Sequence, residues 1–375
     1  MTLRLLLAVF LTASGALAQD HIRIATYNVG LGRDGPGLLL KDIQSSDEDI
    51  LAIVQIIGIT APDVLLLTNF DNDYNNVALS EFLSLIRAET ALDFPYFFST
   101  GGNAGLPSGL DLNGNGQLGD WRDNWGFGRF EGNESMVFLS RYPITAHREF
   151  DHFLWRNLPD AMAPTHPDGA DFFPPDVWNV IRLSSQSHWD LTLDLSDGVA
   201  LHLLATHATP PVFDGPEDLN GLRNDAEIGF WLEYLNGAAF EDDFGNITLF
   251  TAANFVLLGD LNADPDDGES IGTSLRGLLH HPKLTDPLPQ SIGGRDASQA
   301  QAGANTSQTG DPLFDTADWA DADLGNLRVD YVLPSANLTV EQSGVFWPIL
   351  GDPDYGLLEA AKTAHRLVWV DILLP

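Results

Sequence analysis

Phe255–Gly268, FVLLGDLNADPDDG, is the stretch on which the reading of this chain turns. An apolar run, Phe255–Leu258, and Gly259 bring Asp260 and Asn262 to the tip of what reads as a buried strand. In extended backbone alternate side chains share a face, so Asp260 and Asn262 are expected to project together. A carboxylate beside an amide suits an attacking water, a divalent ion or a phosphoryl oxygen. GDLN alone arises by chance in a chain rich in Gly and Asp, so its weight depends on that apolar strand and on partners elsewhere.

Outward from this stretch, the periodicity predicts a β-α-β opening. Strands are expected at His21–Val29 and Asp63–Phe70, with a helix over Asp47–Ile59 in which Ile50, Ile53, Val54 and Ile57 follow helical spacing. Further strands are predicted at Ser135–Leu139, Val177–Leu183, Leu191–Leu195, Val199–Thr206, Phe255–Gly259, Val329–Leu333 and Leu367–Ile372, and a second helix at Asn224–Leu235. Gly101–Gly128 and Pro289–Gly310 read as loops, the latter polar and mobile. Many strands, few helices and no linker predict one α/β domain, a four-layer sandwich of two packed, mostly antiparallel central sheets flanked by helices.

Composition narrows the function classes. With 375 residues, 44% of them apolar, the chain can bury a large core. Arg4, the apolar run Leu5–Leu11 and the Ala16-Leu17-Ala18 ending make residues 1–18 a secretory signal, leaving a domain over 19–375 that is secreted or periplasmic. A membrane anchor is the alternative, but it needs roughly 20 apolar residues, and no other segment supplies them. Zero cysteines exclude disulfides, thiolate zinc sites and a thiol nucleophile. Lys plus Arg number 18 against 53 Asp plus Glu, and the net charge of -35 argues against gripping a nucleic-acid backbone. Adaptation to salty surroundings also accounts for that charge.

Seven strings occur in a telling order: Ile22–Asn28 (IRIATYN), Pro62–Asp71 (PDVLLLTNFD), ESMVFLSRYPI from Glu134, LHLLATHATPP with His207, VLLGDLN with Asp260 and Asn262, LRVDYVLPS with Asp330, and TAHRLVWVDI with His365. Together they resemble the endonuclease/exonuclease/phosphatase superfamily, as a divergent, bacterial-type exported member. The resemblance implies a phosphoester hydrolase. Asn28 would stand beside a metal or phosphate oxygen, Asp260 would orient or deprotonate the attacking water, and Asn262 would hold a phosphate oxygen. His365 would be the catalytic imidazole with Asp330 fixing its tautomer. His207 would be a second imidazole, with Glu134 as its orienting carboxylate. A charge at Asp330, inside an apolar strand, demands a partner on physical grounds alone.

Two departures bear on the metal. The family has Glu where this chain has Asn69, and Asp where it has Ala364. The Mg²⁺ or Mn²⁺ that the resemblance implies would therefore rest on Asn28 and Asn69, with Asp71 as a replacement carboxylate if the ion shifts or the strand bulges. Two functions stay open: a hydrolase of a small phosphoester, impaired by these losses, and a non-catalytic descendant that binds phosphate. Arg129, Arg141, Arg223 and Arg366 lie near the motif strings and leave room for a cation-lined cleft and nuclease activity. Oligomeric state is not written in the sequence.

Asp111–Asp120 raises a separate expectation. Asp111, Asn113, Asn115, Asp120 and the Gln117 carbonyl alternate as in the first half of a calcium-binding EF-hand loop, although the twelfth position is Arg122, with Asp123 next. Either a structural Ca²⁺ orders this loop beside the cleft, or it is a plain Gly/Asn turn.

Overall fold

The computed structural model describes residues 21–196 and 198–373; the expected signal at 1–18 lies outside them. Two mixed sheets face one another. The six-stranded sheet has the order β14 (Val340–Val345), β15 (Val368–Leu373), β1 (His21–Leu31), β2 (Val64–Phe70), β4 (Ser135–Ser140), β3 (Tyr96–Phe98), and only β1 and β2 run parallel. The five-stranded sheet has the order β13 (Asp330–Pro334), β10 (Phe255–Asp260), β7 (Val199–His207), β6 (His188–Ser196), β5 (Ile144–Glu149), with β10 and β7 its one parallel pair. Parallel neighbours need long crossovers. α1 (Leu38–Ser45) and α2 (Glu48–Thr60) serve the first pair, and α5 (Leu219–Asn236) the second. Two short ribbons, β8 (Phe240–Glu241) with β9 (Ile247–Thr248) and β11 (Ala317–Asp318) with β12 (Asn326–Leu327), complete the strands.

The strand period of two divides the core. Ile22, Ile24, Val64, Leu66, Val256 and Leu258 meet between the sheets. Their alternating neighbours Ala25, Tyr27, Leu65 and Leu67 turn to α1, α2, α3 (Val77–Glu89) and α8 (Gly356–Ala361), while Phe255 and Leu257 turn to α5 and α6 (Thr273–Leu279). The result is the four-layer sandwich expected, with both faces of each central strand buried. Among the described residues no helix is long and apolar enough to cross a membrane.

Beyond strands and helices that were not expected, such as β3, β5, β14 and α3, two expected elements take another form. Val177–Leu183 is not a strand. Pro175 opens a short helix, α4 (Pro175–Trp178), after which Ile181 and Leu183 enter the core as irregular chain tied to Trp155 and Phe153 by backbone hydrogen bonds. The expected loop Pro289–Gly310 contains a ten-residue helix, α7 (Ile292–Gln301), started by Ser291, whose hydroxyl accepts from Gly294 N at 3.0 Å.

Candidate active site

Register assembles the centre of the site. In the five-stranded sheet Asp260 pairs with His207 of β7 on one side and with Asp330 of β13 on the other. Gly259 permits that approach: it has φ +149, and an added Cβ would lie 1.9 Å from the Thr206 carbonyl oxygen. The strand stops at Asp260. Asn262, expected to extend it, has φ +48, and its N–H donates back to Asp260 Oδ1 at 2.9 Å. A turn rather than strand alternation therefore brings Asn262 to the pocket, with its Nδ2 on Ala208 O at 2.9 Å.

Asp260 is fully buried and acts as a hub. Its Oδ2 accepts from Asn28 Nδ2 at 2.8 Å and lies 3.4 Å from His207 Nε2 and 3.7 Å from His365 Nε2. Behind His365, Nδ1 meets Asp330 Oδ2 at 2.9 Å, and that oxygen also accepts from Thr316 Oγ1 at 3.0 Å. His365 is held against β1 by Thr363, which donates to Asn28 O at 2.9 Å and accepts from His365 N at 3.2 Å. Burial alone would depress the His365 imidazole, but the Asp330 and Asp260 carboxylates prevail and raise it to about 9. Burial lowers His207 despite the pull of Asp260, and burial raises Asp260 despite His365. At neutral pH the pocket thus holds one charged imidazole and one neutral one.

Three expected roles require correction. Glu134 does not orient His207, whose Nδ1 has no partner among the described residues. Asp71 does not face the pocket: its carboxylate accepts from Arg33 N at 2.9 Å, Asn133 Nδ2 at 2.8 Å and Glu134 N at 2.9 Å, so it fastens the loops behind the site. The arginines do not line the cleft with free charge. Arg129 pairs with Asp34, Arg141 with Asp63, and Arg366 with Asp318 and the carbonyls of Thr363, Ala364 and His365. Arg223 borders the pocket, but its donors go to the carbonyls of Leu183, Trp125 and Arg182.

What the six-stranded sheet contributes is different in kind. Asn28, Asn69 and Glu134 line the same pocket. Asn69 Oδ1 is buried without a hydrogen-bond partner. Glu134, raised by burial and then by the Asp71 charge, with Arg129 opposing, is a carboxylate lining the same pocket. Unspent oxygens of this type suit a hard divalent cation. Asp260, Asp330 and His365 also bring ligand atoms within 4.8 Å of one another, but these atoms are already committed to the His365 pairing. In the Asp111–Asp120 loop the oxygens turn inward onto the loop itself. Asp111 accepts from Asn115 N and Gly116 N, Asn115 from Gln117 N, and Asp120 from Asn113, Asn115 and Arg122 N. Asp123 closes the loop through Leu112 N and Gly119 N.

The pocket encloses about 550 Å³. Its lining is largely apolar, with Trp121, Phe127, Val212, Phe213, Trp319 and Leu324, and carries the carboxylates Asp264, Asp267 and Glu269 besides the polar groups named above. Trp121 and Phe127 meet edge to face at 5.4 Å, and Trp319 meets the His365 ring at 5.3 Å. The sequence reading missed these walls, because they come from separate loops without period. It also missed Thr316 and Glu227. Glu227, fully buried on α5, accepts from Ser185 N at 2.6 Å and Thr209 N at 2.5 Å, fixing two pocket loops. Its spacing from Arg223 reads as an ordinary i,i+4 surface pair, which conceals that role.

Comparison with known proteins agrees with this architecture. The Endonuclease/Exonuclease/phosphatase family model matches residues 25–363. Among solved structures, the endonuclease/exonuclease/phosphatase from Beutenbergia cavernae DSM 12333 is 17% identical, with 94% of this chain and 72% of that one covered and a TM-score of 0.51. Sphingomyelinase C from Streptomyces griseocarneus is 16% identical, with 94% and 99% covered and a TM-score of 0.47. A mannosyl-6-phosphatase from Bacteroides thetaiotaomicron VPI-5482 is 12% identical, with 94% and 100% covered and a TM-score of 0.46. No curated protein sequence matches. With its two-sheet sandwich and a family match spanning nearly its whole length, the chain belongs to the endonuclease/exonuclease/phosphatase family.

Proposed function

We propose that the protein is an exported phosphoester hydrolase. The observation that carries the reading is the buried Asp260 between two imidazoles, one of them backed by Asp330. In-line hydrolysis needs a base for water, positive charge on the developing oxyanion and a proton for the leaving oxygen. Asp260, with its raised affinity for a proton, orients and deprotonates the water. His365, charged at neutral pH, stabilises the phosphoryl oxygens and supplies a proton, while Asp330 and Thr316 hold its ring. His207 adds a second contact to the phosphate, and Asn28 and Asn262 fix its oxygens. A Mg²⁺ or Mn²⁺ ion, when bound at Asn28 and Asn69, supplies Lewis-acid polarisation of the phosphate.

Substrate chemistry follows from the walls. A largely apolar lining, further carboxylates in it and, among the described residues, no unpaired arginine at the pocket favour one phosphate carrying an apolar arm over a polyanionic strand. Export rests on the residue pattern of 1–18, and a structural Ca²⁺ in the Asp111–Asp120 loop would steady Trp121, which follows directly. The second reading, a binder without turnover, is favoured by Asn69 and Ala364, where charged ligands are replaced. The test is a panel of phosphomonoesters, phosphodiesters and DNA assayed with Mg²⁺, Mn²⁺ and Ca²⁺ against the Asp260→Asn variant. Hydrolysis of a small diester above the variant's rate supports the enzyme. Equal rates throughout, with an unreactive phosphonate still bound, support the binder.

A further inference from the structure

We propose that Glu134 is the carboxylate of the divalent-cation site, taking over just ahead of β4 the charge that β2 lacks at Asn69, with Asn69 and Asn28 completing the oxygen set. β2 and β4 are neighbours, and Phe70 pairs with Ser135, so Asn69 and Glu134 flank one rung at the end of adjacent strands. Both have left-handed backbone, φ +55 at Asn69 and φ +54 at Glu134. Asparagine adopts that conformation readily; glutamate does not, and its persistence here implies that surrounding bonds hold it. Those bonds are present: Asp71 Oδ1 takes both the Glu134 N–H and Asn133 Nδ2. The path of the side chain is prepared as well. Glu134 crosses Gly32, where an added Cβ would lie 2.4 Å from Glu134 Cγ and 2.8 Å from Oε1.

The carboxylate at the end of that path is partly buried and accepts no hydrogen bond from the described residues, and the nearby Arg129 is paired with Asp34. A partly buried anion without a donor, beside an orphaned amide oxygen at Asn69, is short of positive charge. A hard cation satisfies both oxygens at once, and the all-oxygen set selects Mg²⁺ or Mn²⁺ over softer metals. The inference rests on the hydrolase reading only for what the ion does, not for its being bound.

Binding of Mn²⁺ alone to the full chain, followed by the EPR signal of the free ion, tests it without any substrate. Wild type is expected to bind Mn²⁺, and Glu134→Gln to lose that ion or bind it about 10–100-fold more weakly. Asn69→Glu, added to Glu134→Gln, should recover it by returning the charge to β2. An Asp111→Asn variant identifies any ion held in the Asp111–Asp120 loop. Should Glu134→Gln fold poorly, Gly32→Ala displaces the same side chain without changing charge and is expected to weaken binding similarly. Wild type that binds no Mn²⁺ outside the Asp111–Asp120 loop, or Glu134→Gln and Gly32→Ala that bind like wild type, overturns the proposal. Glu134-dependent binding without phosphoester cleavage leaves this site standing and removes the hydrolase reading; cleavage indifferent to Glu134 does the reverse.

Discussion

The ends of the five-stranded sheet bring His207 to the pocket with Asp260 and Asp330 buried behind it, whereas those of the six-stranded sheet bring Asn28, Asn69 and Glu134, with His365 entering just ahead of β15. The first set is linked internally: Asp260 spans the two imidazoles, and Asp330 completes the His365 pair. The second set holds Asn69 Oδ1, buried without a hydrogen-bond partner among the described residues, and the partly buried Glu134 carboxylate. The first half is held together by its own bonds apart from His207 Nδ1 and Asp330 Oδ1, and the second offers free acceptors to a ligand. Substitutions should therefore act on different observables. In the five-strand half they should lower turnover; in the six-strand half they should alter ion affinity first.

The sharpest test of this division is Asp260→Asn. The amide keeps the size of the buried side chain and can still meet Asn28, so the fold should survive, but it removes the proton acceptor and the second of the two carboxylates that charge His365, after Asp330. The expected loss in kcat is about 10²–10⁴-fold, measured by steady-state hydrolysis of a small diester with circular dichroism as the folding control. A loss confined to KM would place Asp260 with the binding half instead. Ala364→Asp probes the other half. Ala364 bonds its carbonyl to Asp318 N and Arg366 and presents only a methyl group, so a carboxylate there adds a ligand next to His365. Mn²⁺ affinity is expected to rise about tenfold, read by titration. No rise would mean that the ion approaches from the Glu134 side alone.

The same contrast explains what could be read from the amino acids. Period-two apolar strands are legible wherever both faces are buried, as in β1, β2 and β10, because Ile22 and Ile24 on one face and Ala25 and Tyr27 on the other leave few polar positions. β5, the edge strand ITAHRE, carries too many exposed polar residues to announce itself. α7 was hidden by Gly, Ser and Gln that read as loop until Ser291 is seen to cap it. Asp330 and His365 were legible as a pair since a buried charge requires an opposite partner. Glu134 was visible as a residue but not in its direction, which depends on a left-handed backbone, on Asp71 behind it and on the space left by Gly32. The Asp71 assignment failed for a related reason: strand spacing gives no hint that three N–H donors from loops already occupy its carboxylate.

Titration offers a finer cut at the self-bonded half. His365, raised to about 9 by Asp330 and Asp260 against the opposing effect of burial, should hold its proton across neutral pH, so the alkaline fall in kcat should come as pH rises through about 9. Asp330→Asn removes one of those carboxylates and should move this alkaline limb toward neutrality. Stability should follow the same sign. The folded value exceeds the unfolded imidazole's 6.5, so the paired charge contributes fully below about pH 6.5 and is lost as pH rises through about 9. An alkaline limb that Asp330→Asn leaves in place would assign it to another group and detach Asp330 from the proton-handling set.

The smallest expected effect comes from the loop that carries Trp121 to the pocket wall. Asp111, Asn115 and Asp120 already accept N–H bonds within the loop, and the Arg122 N–H leads the contacts that hold Asp120 below the usual carboxylate range. Calcium would therefore replace satisfied bonds, unlike an ion at Glu134. Ligand at about 100 times its dissociation constant adds roughly 2.7 kcal/mol, an upper bound here, which for a chain of this size amounts to a few degrees in Tm. Differential scanning fluorimetry with Ca²⁺ or a chelator should show at most that shift, absent in Asp111→Asn and unchanged in Glu134→Gln. A larger rise, or one that Glu134→Gln abolishes, would mean that the dominant cation site under these conditions is the pocket and that the loop is a self-capped turn.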